Sequence, residues 1–267
     1  MQIWKQSLIP IGSQIRRQCR IIGSLMMREM STRFGREGLG FAWLVVEPLV
    51  FCFGVLALWT AMKPEYEHGI RISAFMMTGY MCLLLLRHIV QYSSSALQAN
   101  IGLMHHRAIK PLHIFASRIL LEIAGTSFAF VIAYFSLYLA QQINLPSDLI
   151  LVYAGWMLLA FLGQGFALTL AGLSMRFDLL ERIVGLLMYV LVPVSGAFFM
   201  VSWLPPAVQE VVLLIPFPHA VELLRAGVFG EFVETHYDVG YALMWGGILN
   251  IAGLLLISIS RDRIDVE

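Results

Sequence analysis

The fold is decided by the stretch LGFAWLVVEPLVFCFGVLALWTAM, which runs from Leu39 to Met62 and contains a single charged residue, Glu47. A helix that crosses a bilayer needs about 20 mainly apolar residues, and this stretch has that length. Because backbone polar groups find no water at that depth, they must be satisfied within the segment. We therefore predict a transmembrane helix over Leu39–Met62.

The same apolar pattern recurs along the rest of the chain. The whole sequence is 59% hydrophobic and 13% charged, whereas soluble domains have about 45–50% apolar and 25% charged residues. Hydropathy predicts five more crossings, at Ile72–Val90, Ile114–Ala140, Leu149–Leu173, Ile183–Val201 and Val239–Ser260. The sequence thus predicts an all-α integral membrane protein, with a six-span membrane domain over residues 38–267.

Basic residues indicate how the chain is oriented. Lysines and arginines are concentrated before the first crossing and in the loops that six crossings place on that same side. In the loops of the opposite side they are only Lys63, Arg71 and Arg225. Because cytoplasmic loops are enriched in Lys and Arg, we predict that both termini are cytosolic. The net charge of +1 gives no reason to expect a nucleic acid partner.

Residues 1–37 form a separate cytosolic segment in this prediction. Apolar side chains recur at helical spacing on one face, at Ile15, Cys19, Ile22, Met26 and Met30. Arg16, Arg20 and Arg28 fall on the opposite face. The pattern predicts an interfacial amphipathic helix whose arginines meet lipid phosphates. Three functions of this helix stay open. It could simply anchor the chain, it could be a moving gate that also involves Arg33 and Arg36, or it could contact an ATPase.

Three side chains near or within the crossings are candidates for lining a substrate path. Glu47 and Arg87 are charged groups at membrane depth, where a charge is expensive unless it faces protein, water or, for a long side chain, the headgroups. Trp43 lies at a membrane boundary, where indoles often anchor helix ends. Each residue also has a purely structural interpretation: Glu47 could pack within the bundle, Arg87 could snorkel to the headgroups, and Trp43 could anchor the helix end.

The segment 202–230 is too polar to cross and too apolar to be a free loop. Four prolines interrupt its apolar residues, at Pro205, Pro206, Pro216 and Pro218. We predict two short helices that dip into the outer leaflet and, with Trp203, cap a path, because irregular backbone at that depth must face protein or a water-filled cavity. A hairpin that only braces the bundle is the alternative.

Small residues recur at every fourth position in two crossings. They are Gly163, Ala167 and Ala171 in the fourth, and Ala242 and Gly246 in the sixth. This spacing predicts close helix contacts. It leaves open whether the contacts lie within one subunit or between two.

Several short motifs, taken together, are recognisable. They are Arg28-Glu29-Met30, Arg33-Phe34-Gly35-Arg36, Leu39-Gly40, Trp43, Glu47-Pro48, Lys110-Pro111 and Pro216-Phe217-Pro218-His219 followed by Glu222 and Arg225. With them the chain resembles the polysaccharide-export permeases of the type-2 ABC transporter class, and most of all the inner-membrane permeases of capsular polysaccharide export. The resemblance covers nearly the whole chain. Phe217-Pro218 departs from the Asn-Pro pair that many relatives carry.

The resemblance implies a division of labour between subunits. Such a permease is a homodimer in the bacterial inner membrane that binds no cofactor itself, and two separate nucleotide-binding subunits hydrolyse ATP with magnesium. In agreement, the sequence has no Gly-rich phosphate-binding loop that ends in Gly-Lys-Ser/Thr. The implied substrate is a lipid-linked acidic capsular polysaccharide, and periplasmic and outer-membrane export components are implied partners.

The loop 98–112 is the implied contact with the ATPase. In the resembled family a short coupling helix docks on the nucleotide-binding subunit here, and the matching residues are His105, His106, Arg107, Lys110 and Pro111. A metal site at the two histidines is disfavoured, because neighbouring side chains on a helix point about 100° apart.

Other functions stay open at the level of the residues. An O-antigen or teichoic-acid exporter would belong to the same class. A membrane-embedded transferase for lipid-linked glycans would use Glu47, Arg87 or His219 as catalytic groups. A scaffold for an envelope complex would need none of these charges for chemistry.

Overall fold

The computed structural model describes residues 11–34, 40–94, 96, 100, 102 and 109–264. Numbered in chain order, the helices used below are α1 (Ile11–Phe34), α2 (Gly40–Met62), α3 (Ile72–Ser94), α4 (Pro111–Leu139), α5 (Leu149–Ser174), α6 (Asp178–Val194), α7 (Pro206–Leu213), α8 (Pro216–Phe229) and α9 (Val239–Ile264). A small antiparallel hairpin, β1 (Tyr66–Glu67) and β2 (Ile70–Arg71), joins α2 to α3. Short 3-10 turns lie at Val201–Trp203 and Gly230–Phe232.

Five of these helices are long and apolar enough to cross a membrane, namely α2, α3, α4, α5 and α9. They coincide with five of the six predicted crossings, and they confirm the prediction of an all-α membrane protein. The segment 202–230 contains α7 and α8 as two short helices that meet at a bend of 105°. The described residues therefore hold five candidate spans, or six if the bent pair counts as one broken span.

The fifth predicted crossing, Ile183–Val201, is longer than the helix that the structure contains. Its apolar helix, Arg182–Val194, falls short of a full span, so the predicted C-terminal boundary is wrong. Pro193 offers no backbone N–H to the helix, and Gly196 has a φ of 79°, a left-handed conformation that glycine adopts without steric cost. The chain therefore turns after Val194.

The bundle has two ends, which we name by their contents. The hairpin end holds the β-hairpin, the α4–α5 loop and the α8–α9 connection, at residues 66–71, 140–148 and 230–238. There Arg71 donates a hydrogen bond to the carbonyl of Gln141. The termini end holds α1, the start of α4 and the last turns of α5 and α9, where Arg176 Nε donates to Ser260 Oγ at 3.0 Å.

Small residues bring the central helices close together within one subunit. A Cβ atom at Gly163 of α5 would lie 3.0 Å from Leu86 Cδ2 of α3. A Cβ atom at Gly246 of α9 would lie 2.6 Å from the Phe161 ring of α5. These two predicted contact positions therefore serve packing inside the subunit, with α3 and α5 at the centre of the core.

Candidate functional site

Arg87 stands out on α3, which is otherwise the most buried of the candidate spans. Between Ile72 and Val90, each residue of α3 is buried or half-buried except Arg87, which is exposed. Its Nε donates to Gln91 Oε1, one turn further on, at 3.4 Å. The guanidinium is thus presented at the surface of the subunit. This exposure is required whether Arg87 lines a substrate path or snorkels to the headgroups, so it does not distinguish the two interpretations.

An aromatic cluster lies further along the same face of α3, towards the hairpin end. Tyr80 precedes Arg87 by two helical turns, and its ring centre lies 6.3 Å from that of Phe198. Phe198 in turn stacks on Trp59 of α2 at 5.8 Å. This face of α3 therefore carries the Arg87 cation towards one end and contacts a group of aromatic rings towards the other.

The predicted path residues of α2 lie towards the termini end. Trp43 is 52% exposed. Glu47 is half-buried, and its Oε1 accepts a hydrogen bond from the Tyr92 hydroxyl of α3 at 3.1 Å. The carboxylate is thus tied into the α2–α3 contact, as the structural interpretation of Glu47 expects.

Trp203 lies at the other end of the bundle from these two residues. Its ring centre is 4.7 Å from Phe75 of α3 and 4.7 Å from His68 of the hairpin. From Phe75 to Arg87 the distance along α3 is about 18 Å, at 1.5 Å per residue. The structure therefore does not gather the four predicted path residues into one site. It distributes them along the length of the bundle.

Helix α1 is docked on the start of α4 by polar contacts. Glu29 Oε1 lies 2.8 Å from Arg118 Nη2, and both side chains are nearly buried. Gln18 contacts the ring of His113. Leu25, on the same helix, is buried in the core of the bundle. Because the pair of Glu29 and Arg118 is largely shielded from solvent and its two charges are in direct contact, it fixes the position of α1 on the bundle.

The arginines of the predicted gate lie on or after this helix. Arg16, Arg20 and Arg28 are exposed, and Arg28 Nη1 donates to Asn100 Oδ1 at 2.9 Å. Arg33 belongs to α1, but its side chain lies outside the described residues, as does the whole of Arg36.

The predicted coupling residues fall mostly outside the described part of the chain. His105, His106 and Arg107 are among the residues that the structure leaves undescribed. Lys110 is exposed directly before α4, and Pro111 is buried as the first residue of that helix. Proline suits this position because its missing N–H would have no partner within the helix.

The most deeply buried charge of the described chain is Arg225 of α8. From the sequence we count this residue only as a cation of the outer side. Its side chain is fully buried. Its guanidinium donates to the carbonyls of Gly196, Phe199 and Ala197 at 2.8, 2.7 and 2.6 Å, and it lies 4.2 Å from the Phe75 ring centre. Arg225 therefore closes the turn that ends α6.

Glu222 extends this buried cluster by one helical turn. Its Oε1 lies 4.0 Å from Arg225 Nη1 and accepts from the Val201 N–H at 3.4 Å. Its Oε2 accepts from the His236 N–H at 3.1 Å. The pair thus ties together three segments at the hairpin end: the turn after α6, the 3-10 turn that follows it, and the α8–α9 connection.

His219 is buried and fully engaged by the backbone, which bears on the transferase alternative. Its Nδ1 accepts from the Asp238 N–H at 2.9 Å, so the proton must be on Nε2, which donates to the Leu213 carbonyl at 2.8 Å. With both nitrogens occupied, the imidazole serves structure and offers no free base.

Gly79 of α3 provides a sharp test of the Arg225 turn. A Cβ atom at Gly79 would lie 1.9 Å from the Ala197 carbonyl oxygen and 2.5 Å from Arg225 Nη2. We expect Gly79→Ala to destabilise the folded subunit by about 1–3 kcal/mol or more, as overpacking does. The measurement is the surviving monodisperse fraction after heating in detergent. Gly54→Ala on α2, where a Cβ meets nothing within 4 Å, is the control. Equal stability of the two variants would contradict the geometry.

Comparison with known proteins places this arrangement in a family. A family model for the ABC-2 type transporter matches residues 20–229. The chain is 36% identical over 241 residues to the capsule polysaccharide export inner-membrane protein CtrC of Neisseria meningitidis serogroup B, covering 90% of this chain and 91% of that protein. It is 34% identical over 240 residues to the capsule polysaccharide export inner-membrane protein BexB of Haemophilus influenzae, with the same coverage.

A more distant relative is the polysialic acid transport protein KpsM of Escherichia coli, which is 24% identical over 235 residues, covering 88% of this chain and 91% of that protein. The chain belongs to the ABC-2 type transporter family. The resemblance read from its short motifs is thereby confirmed.

Proposed function

We propose that this chain is the permease subunit of an ATP-driven exporter that moves capsular polysaccharide out across the bacterial inner membrane. The observation that carries the proposal is 34–36% identity, over nine-tenths of the chain, to inner-membrane proteins named for capsule polysaccharide export. Candidate spans without large soluble insertions fit a subunit that handles its substrate within the membrane.

The proposed substrate is a lipid-linked acidic polysaccharide. Arg87 supports an acidic substrate, because an exposed guanidinium can hold a carboxylate or phosphate in two places. The rings of Tyr80, Phe198 and Trp59 on the same side of α3 offer flat apolar surfaces on which the faces of sugar rings can lie. Trp43 and Trp203 would extend such a path towards either end of the bundle.

Energy for export is proposed to come from partner subunits. Two nucleotide-binding subunits would hydrolyse ATP with magnesium, while a homodimer of this chain forms the path and binds no cofactor. Periplasmic and outer-membrane export components would receive the polymer. Many large apolar side chains are exposed on α2 and α9 of the single subunit, such as Phe51 and Ile251, which fits lipid and a second subunit as neighbours.

The proposed topology has both termini in the cytosol and the hairpin end outside. The strong excess of Lys and Arg before α2 supports it. The bent pair of α7 and α8 would then dip in from the outer side and cap the path.

A direct test is to restore export in cells that lack their own permease. We expect surface polysaccharide to return when this chain is supplied with its ATPase subunit, and not with an ATPase subunit unable to hydrolyse ATP. The transferase alternative predicts a different result: purified chain alone would transfer label from a lipid-linked donor. Transfer without the ATPase would overturn the proposal.

The coupling role of 98–112 gives a further prediction. Arg107→Glu combined with Lys110→Glu should lower substrate-stimulated ATP hydrolysis several-fold, because reversed charges would repel the acidic surface that we expect opposite them. Membrane insertion, measured by the amount of chain in the membrane fraction, should stay unchanged. Lys63→Glu, which reverses a partly exposed charge at the hairpin end, is the control. Unchanged stimulation in the double variant would remove the coupling assignment.

The gate role of α1 can be tested through its exposed arginines. Replacing Arg16, Arg20 and Arg28 with Gln should weaken binding to anionic lipid by up to about 1 kcal/mol per charge, and export should slow. Arg17→Gln, which alters an exposed neighbour outside the stripe, controls for the loss of charge. The measurement is export rate in vesicles of varied anionic lipid content. Export that ignores the triple change would leave α1 as an anchor.

A further inference from the structure

An apolar groove lies between α4 and α5, next to the 140–148 loop and apart from the candidate transport path. Its volume is about 440 Å³. Val131 of α4 and Tyr153 of α5 form its walls and are exposed, while Phe130 and Trp156 lie deeper. None of the described residues that line the groove is charged. It is a concave surface between two candidate membrane spans.

The floor of the groove is held rigid by contacts that turn its polar atoms inward. Trp156 Nε1 donates to Ser127 Oγ at 2.8 Å, and the Tyr134 hydroxyl donates to the Asn144 carbonyl at 2.8 Å. Phe130 stacks on Trp156 with ring centres 4.6 Å apart. The groove is therefore preformed, and it presents almost only hydrocarbon.

A polar pocket adjoins the groove at the hairpin end. Leu145 lines both cavities, and the second one also has a volume of about 440 Å³. Arg71 is the one charged residue among its described lining residues, and Gln142 and Asn144, which carry side-chain amides, line it as well. Arg71 is paired with Glu65 at 2.7 Å, and this carboxylate is 62% exposed.

The length of the groove matches one leaflet of a bilayer. Its lining on α4 runs from Ser127 to Tyr138, a distance of about 16 Å at 1.5 Å per residue. Half of the hydrocarbon core of a bilayer is about 15 Å. An extended chain that fills the groove would thus end where the polar pocket begins.

We propose that the groove and the polar pocket together bind one anionic glycerophospholipid from the surrounding leaflet, with an acyl chain along α4 and the phosphate at Arg71. The phosphate would replace Glu65, whose carboxylate is exposed and whose ion pair with Arg71 therefore contributes little. The amides beside Arg71 would donate to the remaining phosphate and glycerol oxygens. On the proposed topology this lipid belongs to the outer leaflet.

The test uses the full chain in phosphatidylcholine nanodiscs that contain a trace of phosphatidylglycerol with a photoreactive acyl chain. After irradiation, peptides that contain Val131 or Tyr153 should carry at least fivefold more label than the α9 peptide with Ile251, which is similarly exposed. Unlabelled phosphatidylglycerol should compete, and phosphatidylcholine should not. Val131→Trp, which fills the groove, and Arg71→Gln should each reduce labelling at least fivefold.

Glu65→Gln is the matched control for Arg71→Gln, because it breaks the same ion pair and keeps the cation. It should leave labelling intact or raise it. Equal labelling of the groove and α9, or labelling indifferent to Arg71→Gln, would mean ordinary bulk lipid and would overturn the proposal. If Val131→Trp converts a dimer to a monomer without changing the labelling, a second copy of the chain occupies the groove, and the proposal is wrong. If Val131→Trp fails to fold, Arg71→Gln and the headgroup competition decide alone.

Discussion

Replacing Arg225 with methionine should destabilise the folded subunit by about 3–5 kcal/mol, the cost of removing one partner from a buried charge pair. The carbonyls of Gly196, Ala197 and Phe199 would lose their donor, and Glu222 would stay buried without its cation. Thermal unfolding in detergent, followed by the monodisperse fraction, should show a drop in Tm of roughly 10 °C or a loss of folded protein.

Two further variants separate the geometry of Arg225 from its charge. Arg225→Lys keeps the charge but cannot reach three carbonyls with a planar fork, so its Tm should fall between those of methionine and the unaltered protein. Lys63→Met removes a partly exposed cation at the same end of the bundle and should change stability by no more than about 1 kcal/mol. If Arg225→Met unfolds like Lys63→Met, the turn after α6 does not depend on the guanidinium.

The sequence was sufficient for the parts of the fold that hydropathy controls. Leu39–Met62 and four other stretches are apolar over a full crossing, and the structure has helices there. It was insufficient where a single buried contact ends a helix. The apolar run continues past Val194, so hydropathy extended the fifth crossing, whereas Pro193, Gly196 and the Arg225 contacts turn the chain.

The same limit explains why the burial of Arg225 was not predicted. The count of basic residues sorts each cation only by the side of the membrane on which it lies, so Arg225 entered it as an outer-side cation although two short helices were predicted for 202–230. A signal was present, because Glu222 and Arg225 are three residues apart on one helix face and are separated by Leu223 and Leu224. A charged pair enclosed by apolar residues at helical spacing indicates a buried bridge. Arg87 carried no such partner at that spacing, and it is exposed.

Replacing Arg87 with leucine should reduce export at least tenfold without lowering the amount of folded protein. A cation within a span costs up to about 2.5–3.5 kcal/mol on insertion scales, the value that applies at mid-span. Leucine would remove that cost, and Arg87 donates within its own helix to Gln91, so the fold should not suffer. Arg87→Lys should export at an intermediate rate, because it keeps the charge and loses the fork that grips an acidic group in two places. Arg182→Leu, an exposed site on α6, is the control.

Solvent access decides between a path residue and a snorkelling one. Cys19 is exposed while Cys52 and Cys82 are buried, so the probe requires a background in which all three are replaced. In that background a cysteine introduced by Arg87→Cys should react with a water-soluble thiol reagent, and bound substrate should slow the reaction. A snorkelling arginine reaches water only through its length, so the much shorter cysteine would stay in lipid and remain unreactive. Full export by Arg87→Leu together with an unreactive cysteine would make Arg87 a structural residue, and the substrate path would have to run elsewhere.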